Sequence, residues 1–288
     1  MKNNILKVKK SGKLFKNFRI NIVFLFIFLI ILAVICYIPF YIMIINGTRT
    51  TTQINMGISL LPGTGTAENY IKMQQSMNIW RGFLNSILIA VPSTLFAGYF
   101  GALTAYAFSK FKFRGNRILF WLVLATMMIP TQLGLVGYYQ LAGKLHLIDT
   151  LWAIILPAIA NAGTVFFLKM YIDANVNDTL LEAARIDGSN EFYIFNRIVF
   201  PIITPGVAMM SILNFVAYWN NYITPLALLN TKDKFPLPIL IALVKGTYKQ
   251  NIGSQYLAVG ISIIPIIISF MFFSRYIISG VAAGAIKE

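Results

Sequence analysis

The sequence predicts an all-α, polytopic membrane protein with six transmembrane helices. It is 58% hydrophobic and only 11% charged, against about 25% charged residues in a soluble domain. Its apolar residues run in blocks that reach or exceed the roughly 18 that mark a membrane span. Asp, Glu, Lys and Arg are confined to the stretches between those blocks.

The blocks lie at 20–45, 83–108, 118–140, 151–168, 202–229 and 256–274, and none contains an ionisable Asp, Glu, Lys or Arg. The first follows a basic tail, residues 1–19. Its apolar core from Ile22 to Ile45 is longer than the roughly 7–15 residues of a signal peptide's apolar region, and no small-residue cleavage site follows directly, so it is expected to stay as a span. Residues 46–82 form a segment outside the bilayer, marked by the turn-rich run LPGTGTAENY. The other five blocks make a core over 83–275, and residues 276–288 form a tail.

Basic residues set the orientation, because short cytoplasmic loops retain them. With the N-terminus inside, the inner segments hold Lys2, Lys7, Lys9, Lys10, Lys13, Lys16 and Arg19, then Lys110, Lys112, Arg114 and Arg117, then Lys169, Arg185 and Arg197, and finally Arg275 and Lys287. These are 16 of the 24 Lys and Arg residues. Both termini are therefore expected inside, with 46–82, a short loop near 141–150 and 230–255 outside. The net charge of +15 clusters beside the spans rather than along one soluble face, which argues against nucleic-acid binding. Cys36 is the only cysteine and His146 the only histidine. An internal disulfide, a histidine metal cluster and a catalytic triad are excluded, and no metal or cofactor is expected.

Ion-driven transporters commonly carry ionisable groups inside their spans, where each costs about 2.5–3.5 kcal/mol to insert. This chain carries none there, and it has no G-x-x-x-x-G-K-[ST] loop to hold ATP. If it pumps, energy arrives from another polypeptide, on the cytoplasmic side. A self-sufficient secondary transporter or channel is the alternative, since backbone carbonyls can bind sodium. A membrane-embedded enzyme would need clustered catalytic side chains that the spans lack.

The inner loop 173–201 contains LLEAARIDGSNEFYIFNRIVFP. Thr179 and Glu182 are spaced as a capping box, Gly188 is placed to end a first short helix, and Ser189 or Asn190 to cap a second. The expected product is a knob. Leu180, Leu181, Ile186, Phe192 and Phe195 would give it apolar surface, Ala183 and Ala184 would let a partner approach closely, and Arg185, Asp187 and Glu191 would rim it. Contiguous exposed apolar surface marks a docking site. A helix lying on the bilayer surface is the plain alternative, and three acidic residues against two basic ones fit anionic lipid poorly.

These residues carry a resemblance. Glu182-Ala183-Ala184, Gly188, Ile198 and Phe200-Pro201 match E-A-A, three residues, G, nine residues, I-x-L-P, with Phe200 in place of Leu. That pattern is the signature of membrane subunits of ATP-binding-cassette importers, and ARIDG resembles the carbohydrate-importer version. FLNSILIAVPST at 83–94, PTQLGLVGYYQL at 130–141, WNNY at 219–222 and SRYIISGVAAGAIKE at 274–288 are similar to maltose-type permease subunits. The resemblance runs from about residue 70 to the C-terminus. It implies the type I importer permease fold in a bacterial cytoplasmic membrane. The implied partners are a second permease subunit, two ATPase subunits and an extracellular solute-binding protein, and the implied cargo is a sugar or oligosaccharide. It assigns Glu182, Ala183, Ala184, Asp187, Gly188 and Pro201 to ATPase coupling, with hydrolysis on the partner. Within the fifth block Asn214, Tyr218 and Asn221 fall at i, i+4 and i+7, one helical face. Amides and aromatic rings suit a sugar's hydroxyls and ring face, which makes these three the candidate substrate-pathway residues, with amide pairs acting as glue between helices the alternative. The third span holds Thr126, Pro130, Thr131 and Gln132. Pro130 permits a kink that suits a moving or pathway-lining helix, with ordinary packing the alternative, and Gly98 and Gly101 read as close-packing positions.

Overall fold

The computed structural model describes residues 2–76, 78–247 and 251–285, with side chains described for 22–75, 78–243 and 251–272. The side chains of the basic tail, of 244–250 and of the C-terminal segment from 273 lie outside the described residues. In a bilayer no water reaches the backbone, so charge-free runs must close their own hydrogen bonds, and helices do this within one segment. The elements in order are α1 (Lys2–Thr48), α2 (Thr51–Asn55), α3 (Thr66–Ser76), α4 (Ile79–Lys110), α5 (Asn116–Met128), α6 (Leu135–Lys144), α7 (Trp152–Ile155), α8 (Ala162–Asn175), α9 (Asp178–Ile186), α10 (Glu191–Ile194), α11 (Phe200–Trp219), α12 (Ile223–Leu228), α13 (Leu237–Thr247) and α14 (Ile252–Ala285).

Among the described residues five helical stretches are long and apolar enough to cross a membrane: Ile22–Thr48, Ile79–Lys110, Trp152–Asn175, Glu191–Trp219 and Ile252–Phe272. The pair Asn116–Met128 and Thr131–Lys144, bent by 98°, makes six if it is counted as one broken span. The expected continuous span 118–140 is thus broken. Ile129, directly before Pro130, is extended at φ −87°, ψ 123°, the conformation that a following proline imposes. The expected span 151–168 is also composite. A 3₁₀ stretch, Leu156–Ala160, carries Pro157, and Asn161 then caps α8, which runs on to Asn175. The expected span 202–229 ends at Trp219, and α12 is a separate short helix.

The chain divides into two units, Met1–Lys72 with Gln250–Gly260, and Met73–Lys249 with Ile261–Glu288. In the first, the side chains of α1 from Ile22 to Ile38 face outward almost throughout, as expected of a helix solvated by lipid. In the second, α4 is the centre. Ala90, Ala97, Ala102 and Ala105 on α4 are fully buried, and α8 and α11 pack on that helix. A Cβ at Gly101 would stand 2.7 Å from Thr164 Cγ2, so α8 approaches only because residue 101 has no side chain. Gly98 is less constrained, with its nearest neighbour, on Val207, at 3.4 Å.

At the N-terminal end of α4 polar side chains tie down the segment before α13. Asn85 Nδ2 donates to the carbonyls of Asp233 (2.7 Å) and Phe235 (3.1 Å), and Ser86 Oγ accepts from the Leu237 N–H at 2.9 Å. Asp149 closes the same segment from the α6–α7 loop. Its carboxylate accepts from the N–H groups of Asn230 (2.9 Å) and Thr231 (3.0 Å), the Thr231 hydroxyl (2.6 Å) and Lys234 Nζ (2.8 Å). The Lys234 ammonium first, then the Thr231 hydroxyl, hold the Asp149 carboxyl well below the usual carboxylate range. A depressed carboxyl contributes stability above its unfolded value of about 4 and loses it as pH falls through the folded value, so the clasp persists in mild acid. Asp149→Ala is expected to speed limited proteolysis within 229–235 at neutral pH. The wild-type segment should keep its protection at about pH 5, above the unfolded carboxyl value.

Candidate functional site

The segment between α8 and α11 builds a helix pair. Asn177, not Thr179, caps α9: its side chain accepts from the Thr179 N–H at 3.1 Å. Asn is the stronger cap, and its use places the Asp178 charge in the first turn, at the positive end of the helix dipole. The capping box expected for Thr179 and Glu182 therefore does not form, and Glu182 faces outward. The far end follows the glycine. Gly188 has φ +79°, its N–H donates to the Arg185 carbonyl at 3.0 Å, and the Ser189 N–H donates to the Ala184 carbonyl at 3.0 Å. These are the two bonds of a Schellman end, which needs a left-handed residue at the glycine position. Asn190 then caps α10, accepting from the Tyr193 N–H at 2.8 Å.

The second helix is not short. After α10 the chain makes a π turn, Phe195–Val199, and continues as α11. Pro201 sits in the first turn of α11, exposed. It lacks the N–H that a regular helix would need, and the wide turn before it relieves the ladder. The helix pair is thus the rigid foot of the fifth span.

Packing divides the residues of the pair differently from the sequence expectation. Leu181 and Phe195 are buried at 1% and 0% exposure and join Ile194, Val199, Leu168 and Ile172 in one apolar cluster. Ala184 belongs to the same cluster, so it is a contact inside this chain rather than a gap left for another. Leu180, Glu182, Ala183, Ile186, Asp187 and Gly188 remain on the open side, with Phe192 and Tyr193. Ile186 is 86% exposed.

Two ties hold the pair to α4 and a third holds the end of α8 to the same helix, and the sequence reading missed all of them. The Tyr106 hydroxyl, on a ring buried to 2% exposure, donates to Glu191 Oε2 at 2.8 Å, and Arg185 Nε donates to Glu191 Oε1 at 2.7 Å. Glu191 therefore joins α4, α9 and α10. Lys110 Nζ donates to the Val176 carbonyl (2.8 Å) and to Asp178 Oδ1 (2.6 Å), and holds the Asp178 carboxyl below its ordinary value. Ser109 Oγ donates to Asp173 Oδ1 at 2.5 Å. The available signal was spacing: Tyr106 and Lys110 are i, i+4 on one face at the end of a span.

A cavity of about 790 Å³ opens where the spans break. Thr131, Gln132, Tyr138, Tyr218, Asn221 and Thr224 contribute to its lining. Of the three pathway candidates, Tyr218 and Asn221 lie there and Asn214 does not. Asn221 stands beyond the end of α11, and its Oδ1 accepts from the Thr224 N–H at 3.3 Å, so the three do not form one helical stripe. Asn214 is buried in a polar knot. Asn161 Nδ2 donates to Asn214 Oδ1 (3.3 Å) and to the Tyr218 oxygen (3.0 Å), Asn161 Oδ1 accepts from the Thr164 N–H and hydroxyl (both 2.9 Å), and Asn214 Nδ2 donates to Thr164 Oγ1 (2.9 Å). The sequence reading missed Asn161 altogether, because its partners come together only when α11 lies beside the start of α8.

An all-helical chain with broken spans, a cavity at the breaks and an exposed foot tied to the core has the build of a membrane transport component. Residues 95–282 match the family described as binding-protein-dependent transport system inner membrane component, and the chain belongs to that family. It is 35% identical over 260 residues to an arabinooligosaccharides transport system permease protein of Halalkalibacterium halodurans, covering 89% of this chain and 93% of the relative. The Bacillus subtilis protein of the same description is 31% identical, covering 91% and 94%. A diacetylchitobiose uptake system permease protein of Streptomyces coelicolor is 28% identical, covering 90% and 87%. A solved bacterial ABC transporter involved in alginate import shares the fold, with a TM-score of 0.76 at 22% identity over 90% of this chain and 96% of that one. The chain is accordingly a multi-pass inner membrane permease component that works with a binding protein and an ATPase, and the self-sufficient secondary transporter or channel is set aside.

Losing the Tyr106 hydroxyl leaves Glu191 with Arg185 alone, at a cost of about 1 kcal/mol. In Tyr106→Phe, amide hydrogen exchange is expected to rise within 178–194 while the α4 segment 85–100 stays protected.

Proposed function

We propose that this chain translocates a sugar or oligosaccharide as one permease of an ATP-driven importer, and that α9 is the element through which a separate ATPase moves it. Family membership and the carbohydrate names of its relatives support the cargo class. The observation that carries the coupling role is the exposed apolar face of Leu180, Ala183, Ile186 and Phe192, on a foot that is continuous with α11 and tied to α4. Glu182 and Asp187 rim that face, Gly188 sets the bend behind it, and Pro201 marks where the foot becomes span. Force applied at Ile186 would reach α4 through Arg185, Glu191 and Tyr106, and α11 directly. In this reading both termini and α9 are cytoplasmic. A second permease completes the translocation path, two ATPases drive it, and the solute-binding protein docks on the outer segments 46–82 and 230–255.

Tyr218 and Asn221 would meet the cargo in the cavity. The Tyr218 oxygen already accepts from Asn161, which leaves its own O–H to donate, and a sugar offers ring and hydroxyl oxygens as acceptors. Asn214 acts through Asn161 and Thr164, as a positioning residue.

Ile186→Asp places a charge in the docking face without disturbing the buried cluster. ATP-dependent uptake in reconstituted vesicles should fall about tenfold or more, with unchanged insertion, and normal uptake would overturn the coupling assignment. Tyr218→Phe removes the donor to the cargo, about 1 kcal/mol or roughly fivefold, and leaves Asn161 Nδ2 donating to Asn214 alone. Uptake of arabino-oligosaccharides or diacetylchitobiose should drop by that factor while hydrolysis by the partner ATPase continues.

A further inference from the structure

Between α1 and α3, inside the outer segment 46–82, the chain makes an excursion whose apolar side chains docking of a binding protein does not account for. It leaves the top of α1 at Thr48 and returns there: the Gly63 N–H donates to Thr48 Oγ1 at 2.9 Å and the Gly65 N–H to the Thr48 carbonyl at 2.8 Å. In between, the Leu60 carbonyl accepts from the Tyr41 hydroxyl at 2.8 Å. Tyr41 precedes Thr48 by seven residues, about 10 Å of helix at 1.5 Å per residue. Helical side chains lean toward the N-terminus. Leu60 therefore lies at or below the level of Tyr41, and residues 56–61 dip along the flank of the first span before climbing back.

The dip is built rather than loose. Buried Arg49 holds its near side, donating through Nη1 to Asn46 Oδ1 (3.1 Å) and the Gly57 carbonyl (2.9 Å), and through Nη2 to the Gln53 carbonyl. Thr50 and Gln53 close a capping box on α2. What this scaffold presents is apolar: Met56, Ile58, Leu60 and Leu61 are 79%, 83%, 63% and 75% exposed. The sequence holds no charged residue between Arg49 and Glu68.

The depth of Tyr41 identifies the partner. Counted from Ile22, the 20 residues that span about 30 Å of hydrocarbon core end at Tyr41, while the charge-free run itself continues to Thr48. Tyr37 and Tyr41 stand towards the end of that count with rings 6.3 Å apart, near the level where aromatic residues gather in the membrane interface. A segment level with them meets headgroups and the upper acyl chains. Ile58 and Leu60 have backbone N–H groups with no protein acceptor among the described residues, which fits that level, where water still reaches, and not the hydrocarbon core.

We propose that residues 56–61 are an interfacial anchor, with Met56, Ile58, Leu60 and Leu61 seated in the phospholipid interface on the side where α1 ends. With no charge in the segment, the lipid is recognised by its apolar boundary and not by headgroup sign. The anchor fixes the depth of the first span and withdraws these six residues from the outer surface offered to a binding protein. It rests on the reading of 22–48 as a span and stands apart from the coupling role of α9.

The test uses the full chain carrying Cys36→Ser, reconstituted in phosphatidylcholine vesicles. A nitroxide label is placed at Ile58→Cys or, independently, at Leu61→Cys. Collision with oxygen is compared with collision with a water-soluble nickel chelate, using Phe28→Cys as the hydrocarbon reference and Glu68→Cys as the aqueous one. Both test positions should give an oxygen-to-nickel ratio about fivefold or more above that of residue 68 and below that of residue 28, as an interfacial depth requires. A ratio equal to that of residue 68 would overturn the anchor. Low collision with both reagents would mean that protein covers the segment and would overturn it equally. Failure of the Phe28 reference to read as hydrocarbon would instead fault the span assignment.

Discussion

Close packing along α4 is the condition on which the larger unit depends. Lipid tails are as apolar as leucine, so helices in a bilayer gain nothing by hiding from their solvent and associate through contact and hydrogen bonding instead. The alanines of α4 and the bare Gly101 bring α8 against it, and α11 packs on the same helix. At that separation Tyr106 reaches Glu191, Ser109 reaches Asp173 and Lys110 reaches Asp178. A helix with bulkier residues along that face would hold its neighbours too far off for any of these bonds. The foot that carries Ile186 would then hang from α11 alone.

The breaks in the spans follow from the opposite requirement. Each interrupted helix exposes backbone and side-chain polar groups at a depth without water, and these must find partners inside the protein or in a wet cavity. Asn161 shows how this is met: one side chain caps α8, satisfies Asn214 and holds the Tyr218 oxygen. A polar knot in low dielectric stabilises its geometry only when its members are paired, and here each member has at least one partner, with the Tyr218 O–H left to donate. The bend at Pro130 and the end of α11 at Trp219 open their irregular segments onto the cavity.

Much of the architecture was legible in the chain. Charge-free blocks marked out the apolar helices because the bilayer penalises a stray charge strongly, but the blocks at 118–140, 151–168 and 202–229 are each interrupted or bounded otherwise than expected. The bend at Gly188 was legible because a left-handed residue is a local requirement, independent of anything that packs around it. What the linear reading placed poorly were decisions between neighbours. Thr179 looked like a cap because the rival Asn177 could be ranked only once the helix start was known. Leu181 and Phe195 looked outward because the sequence does not say which side of a short helix meets α4 and α8. Asn221 looked like a third rung above Asn214 and Tyr218, but that spacing assumes a helix that in fact stops at Trp219.

Composition and order alone therefore determined that this chain lives in a bilayer, which stretches are charge-free and apolar, and that Gly188 ends a helix. Each of these rests on the energy of a residue in its own surroundings, lipid or water, or on the backbone angle it can adopt. The tertiary structure alone decided which alanine is packed and which is free, that Glu191 joins three helices, that Asn161 and not Asn214 stands behind Tyr218, and that residues 56–61 descend beside the first span. Those outcomes depend on distances between residues far apart in the chain, set by how closely helices pack, and no residue carries that information by itself.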